Sequence, residues 1–102
     1  MKQFTEIRLD KVRNIRYSMR AMSLIEETLE KPLAKIDMEA MSIKDLCVFI
    51  WAGLYHEDNS LTVESVMDLV DEYSDIGTVS EILGKAITNS FGADGKKQIA
   101  KK

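Results

Sequence analysis

Between Ile43 and Leu54 the chain reads IKDLCVFIWAGL, and Ile43, Leu46, Cys47, Phe49, Ile50, Trp51 and Leu54 leave this segment almost no polar side. At helical spacing these residues point in nearly every direction. A helix that is apolar all round has to be covered by other elements, so it is central rather than peripheral. Ser42 opens it, with Asp45 standing where a capping box prefers Glu or Gln. Gly53, near its end, leaves room for the close approach of a neighbour.

The flanking segments supply the cover. Before the central helix, Ser18 is a helix N-cap, and Met22, Ile25 and Leu29 recur at helical spacing, with Met19 one turn earlier and Leu24 beside them. Pro32 stops this helix near Glu30 or Lys31, because proline disfavours a helical residue before it. The connector 32–41 holds Leu33, Ile36, Met38 and Met41 and has room for a short helical turn. After the central helix, His56 to Ser60 form a polar turn. Thr62 then caps a helix with Val63, Val66, Met67, Leu69 and Val70 as its buried stripe and Glu64, Asp68, Asp71 and Glu72 on its wet side. The stretch from Tyr73 to Gly77 breaks this helix. Another starts at Thr78 or Ser80, with Val79, Ile82, Leu83, Ala86, Ile87 and Phe91 on one face, interrupted by Gly84 and ended by Gly92.

At the start of the chain, Ile7 and Leu9 alternate with Glu6, Arg8 and Asp10, and Val12, Ile15 and Tyr17 form a second apolar set. This is a β-hairpin over residues 4–9 and 12–17, turning at Asp10-Lys11, with a bulge near Asn14 to absorb a slip in the alternation. The expected fold is mostly α with α+β character: an N-terminal β-hairpin followed by about four helices in a small bundle. Residues 1–92 form the single domain, in keeping with the roughly 100–150 residues common for domains. Residues 93–102, ADGKKQIAKK, read as a flexible basic tail.

Charge and composition narrow the function. Residues 1–20 carry six Lys/Arg against two acids, residues 21–92 four against fourteen, and residues 93–102 four against one. Basic ends thus flank an acidic body. Arg8, Lys11, Arg13, Arg16 and Arg20 could meet nucleic acid, but a pI near 5.1 and the acidic body oppose a phosphate backbone. No apolar run approaches the ~18 residues of a membrane span, and MKQFTEIRLD is too charged for a secretory signal. The single cysteine, Cys47, lies in the apolar run LCVFI, so a buried thiol in a reducing cytosol is expected, with no intrachain disulfide.

No catalytic or metal motif stands out. His56-Glu57-Asp58 holds the only histidine, and no second ligand set has metal spacing, so a solvated interhelical turn is the favoured reading. Asp68, Asp71 and Asp75 recur at three- and four-residue spacing and share a face, either solvated or turned to a partner. Met19, Met22, Met38 and Met41 either fill gaps in the core or form an adaptable binding surface. The expectation is therefore a protein without enzymatic activity, cofactor, metal or membrane contact, and these seven residues are the candidate partner-binding positions.

The hairpin, the helix broken before Pro32, and the WAGL turn leading to LTVESVMDLVDEY resemble the siphophage-type tail assembly chaperone family over about residues 4–92. That resemblance implies a bacteriophage or prophage chaperone in the host cytoplasm, absent from the mature virion. It further implies a partner, the long tape measure protein, which such chaperones keep soluble while tail tube protein assembles around it. Self-association is compatible with it. The family supplies no catalytic residues, and this chain departs from it in having Lys11 rather than Gly at the hairpin turn. The alternatives are a small helical adaptor and a DNA-binding regulator. The regulator is disfavoured by an acidic 62–73 helix and by a following helix that offers only Lys85 and Asn89.

Overall fold

The computed structural model describes residues 5–36 and 41–101, with side chains described as far as residue 88. The chain forms a hairpin, β1 (Thr5–Arg8) and β2 (Val12–Ile15), and four helices, α1 (Met19–Leu29), α2 (Ile43–Leu54), α3 (Val63–Tyr73) and α4 (Ile76–Lys101). One turn of 3-10 helix, Leu33–Lys35, lies in the connector. The mostly α fold with an N-terminal hairpin and a small helical bundle is thus as the sequence implies.

The hairpin register is continuous, Thr5 opposite Ile15, Glu6 opposite Asn14, Ile7 opposite Arg13 and Arg8 opposite Val12. This corrects the expected bulge near Asn14. The alternation does not slip, because Arg13 rather than Val12 takes the inward position. Ile7, Leu9, Arg13, Ile15 and Tyr17 are buried, while Val12 is 49% exposed on the outer face. The turn dispenses with glycine because Asp10 is pinned from within the hairpin: Arg13 Nε and Nη2 donate to its two carboxylate oxygens at 2.9 and 3.0 Å.

Local chemistry sets the helix ends. Ser18 Oγ accepts from the Ala21 N–H at the start of α1, and Ser42 Oγ from the Asp45 N–H at the start of α2. At α3 the capping box is complete, with Ser65 in place of the usual Glu: the Ser65 N–H donates to Thr62 Oγ1 at 3.0 Å, and the Thr62 N–H to Ser65 Oγ at 2.8 Å. α1 ends at Glu30 in the left-handed conformation, φ 59°. α4 starts earlier than Thr78, because Asp75 caps it. The helix also passes through Gly92, correcting the expectation that Gly92 ends it. A glycine costs a helix only about 1 kcal/mol, and Ala93, Lys96, Lys97 and Gln98 are good helix formers.

α2 occupies the middle, packing on α1, α3, β2 and α4, while α4 lies chiefly against β1. Leu46, Cys47, Val48, Phe49, Ile50, Ala52, Gly53 and Leu54 are all buried. They meet Ile7 and Ile15 of the hairpin, Ile25 of α1, Val66 and Val70 of α3, and Val79, Leu83 and Ile87 of α4 in one core. Each large aliphatic side chain so buried contributes about 1.5–3 kcal/mol. Trp51, expected at the centre, is only half-buried, since its indole N–H reaches the Leu61 carbonyl at 2.9 Å and holds the ring at the edge of the core.

Candidate functional site

Polar chemistry in the described residues concentrates where the turn after α2 folds back on β2. Arg13 is 4% exposed, yet its guanidinium carries the bidentate bond to Asp10 and reaches Asp58 Oδ2 at 3.4 Å. Glu57 accepts from the Asn14 N–H at 3.1 Å and from Asn14 Nδ2 at 3.0 Å. His56 Nε2 lies 2.8 Å from the Asn14 carbonyl, which can only accept, so this nitrogen carries the proton. The Arg16 N–H donates to the Gly53 carbonyl at 3.0 Å. The 53–58 segment thereby hydrogen-bonds the outer edge of β2.

The electrostatics follow these bonds. The Arg13 guanidinium bonded to Asp10 holds that carboxyl below its usual range. Burial raises the Glu57 carboxyl, but bonds from the Asn14 side chain and backbone, with the nearby His56 and Arg13, outweigh it and leave a net lowering. Asp58 is lowered first by the Ser60 hydroxyl, then by the Ser60 backbone and by Arg13. Arg13, Glu57 and Asp58 are thus spent on joining turn to hairpin, and Asp10 on closing the hairpin itself. Among the described residues no group of His, Cys, Asp and Glu could hold a metal ion. Cys47 is buried with its thiol pushed up, which disfavours the reactive thiolate.

The positions singled out in the sequence distribute over several elements. Met19 is 82% exposed at the start of α1, and Met22 on the same helix is half-buried. Met41 is half-buried against the core, and Met38 lies outside the described residues. Asp68 and Asp71 are exposed on α3. Asp75 lies beyond α3 instead of on its face, and its carboxylate accepts from the Thr78 N–H at 2.8 Å and from Thr78 Oγ1 at 3.1 Å. Those bonds, the backbone one foremost, lower its pKa. Asp75 is therefore occupied as the cap of α4, and of the three acids only Asp68 and Asp71 share a helix.

Three features lay beyond sequence reasoning. Ile43, counted among the core residues of α2, is 62% exposed in its first turn. Tyr73 and Ile76 stand exposed at 51% and 44% on either side of the α3–α4 link. The burial of Arg13 removes it from the basic set, leaving Arg8, Lys11 and Arg20 exposed and Arg16 partly so. Only the broken alternation at Val12–Arg13 hinted at this last feature. No helix among the described residues is long and apolar enough to cross a membrane. Compared with family models, curated proteins and solved structures, the chain matches none.

Proposed function

We propose that this chain is a non-enzymatic binding protein for an amphipathic helical segment of another protein, acting as a tail assembly chaperone toward a tape measure protein. The observation that carries the reading is apolar side chains left to water at helix ends, Met19 at 82% and Ile43 at 62%, with Tyr73 and Ile76 at the α3–α4 link, while most other apolar helical side chains among the described residues are covered. An apolar side chain exposed this far can be covered by a partner's apolar face, which removes its surface from water. A thioether such as Met19 adapts to varied partner shapes. The outward face of α3, with Glu64, Asp68, Asp71 and Glu72, would steer basic cargo and repel a phosphate backbone. An amphipathic helix that lays its apolar face on these side chains is the binding mode that suits them.

The test is co-expression with the tape measure protein of the same phage or prophage. The parent chain keeps that partner soluble and co-purifies with it. Met19→Lys with Ile43→Lys abolishes capture while leaving the melting temperature unchanged, since both side chains are exposed. Salt-sensitive binding of duplex DNA, with no effect on the partner's solubility, would overturn the reading.

A further inference from the structure

The two edges of the hairpin are treated differently. In an antiparallel ladder the N–H and C=O of one residue point to the same side, and successive residues alternate. Asn14 of β2, and Arg16 just past its end, point away from β1, because their backbone groups bond Glu57, His56 and Gly53. The Leu9 N–H donates to the Lys11 carbonyl at 3.0 Å, so the odd-numbered residues face each other across the ladder. Glu6 lies opposite Asn14, and Arg8 opposite Val12. The backbone groups of Glu6 and Arg8 therefore point to the free edge of β1. There they meet no hydrogen-bond partner among the described residues. Both side chains are exposed.

We infer that the β1 edge pairs with the β1 edge of a second copy of this chain, antiparallel, with Ile7 on the two-fold axis. Only registers that set outward-pointing residues against each other can form ladder bonds. With Ile7 on the axis, Glu6 faces the second copy's Arg8 and Arg8 faces its Glu6. Each such pair exchanges two backbone bonds and brings opposite charges together across the strands. Shifting the axis to Glu6 or to Arg8 would set like charges face to face. A two-fold contact of this kind closes on itself and joins two hairpins into one four-stranded sheet, so the exposed edge is satisfied without open-ended assembly. A single strand pair buries less than the ~1,200–2,000 Å² of a standard stable interface, so the dimer is weak and concentration-dependent.

Sedimentation equilibrium of the full chain, from about 10 µM to about 1 mM, spans the affinity range of such a contact. The expected result is a monomer–dimer equilibrium. Glu6→Arg and Arg8→Glu, each alone, weaken it about tenfold or more, because both cross-strand pairs become repulsive. The double variant carrying both changes restores it, since the charges are exchanged but still complementary. Amide hydrogen exchange gives an independent readout: the Glu6 and Arg8 amides exchange freely at low concentration and become protected as the dimer forms. A chain that stays monomeric throughout overturns the inference and leaves the edge to a strand of a different protein. A dimer indifferent to both single changes, or one in which the two amides stay labile, overturns it equally.

Discussion

A methyl group added at Gly53 tests the central packing of the fold. A Cβ there would lie 2.6 Å from Ile15 Cγ2 and 3.2 and 3.3 Å from the Tyr17 ring. The first distance is far inside van der Waals contact, and Ile15 cannot retreat easily, being 1% exposed. Tyr17 is fixed as well, because its hydroxyl donates to the Phe49 carbonyl at 2.6 Å inside the core. Helix propensity alone favours Gly53→Ala by about 1 kcal/mol. Overpacking in a well-filled core costs about 1–3 kcal/mol, and displacement of β2 would also strain the Arg16 bond to the Gly53 carbonyl, worth about 1 kcal/mol. The net expectation is a loss of about 1–3 kcal/mol, or roughly 4–20 °C in Tm for a domain of this size. Gly84 is the internal control, exposed on α4 with nothing within 4 Å of an added Cβ. Gly84→Ala should gain about 0.5–1 kcal/mol. Urea denaturation of the parent and both variants measures the contrast. If Gly53→Ala proves as stable as the parent while Gly84→Ala behaves as stated, α2 does not press against β2 in this way.

Four further outcomes follow from named contacts. Arg13→Ala should cost about 1–3 kcal/mol, since it removes a charge-assisted fork, and Arg13→Lys should recover only part of this, lacking the bidentate geometry; both are read from urea midpoints. Glu30→Gly should stabilise the chain by about 1 kcal/mol, because Glu30 holds a left-handed conformation that glycine adopts without penalty; an unchanged thermal midpoint would count against it. Acid should weaken the fold. Asp10, Glu57 and Asp58 are more acidic when folded, so the unfolded chain binds more protons; their contribution is complete above their unfolded pKa values of about 4 and is lost as the pH falls through the lower folded values. A thermal-melt series across that range should show this loss, and replacing Asp10 with Asn should flatten it. Ending the chain after Gly92 should leave the Tm nearly unchanged, because ADGKKQIAKK has only Ile99 as a sizeable apolar residue to bury; a large drop in calorimetry would show that the segment docks on the body.

The signals that proved sound in the sequence are local ones. Ser18, Ser42 and Thr62 cap the helices they precede, because a side-chain oxygen finds an N–H three residues ahead whatever the rest of the chain does. The all-round apolar run of α2 fixed its central place, since no other arrangement removes so much apolar surface from water. Tertiary structure alone decided which polar groups go inside. Arg13 turns inward and Val12 outward because Arg13 finds Asp58, 45 residues along the chain, as well as its neighbour Asp10. Nothing in the alternation of the hairpin carries information about so distant a partner. Asp75 likewise matches the spacing of Asp68 and Asp71, but it lies past the end of α3 and serves the next helix. A periodic pattern records which residues avoid water. Whether a charged one is buried depends on the partners the fold brings to it, because burying a charge is costly unless it is paired.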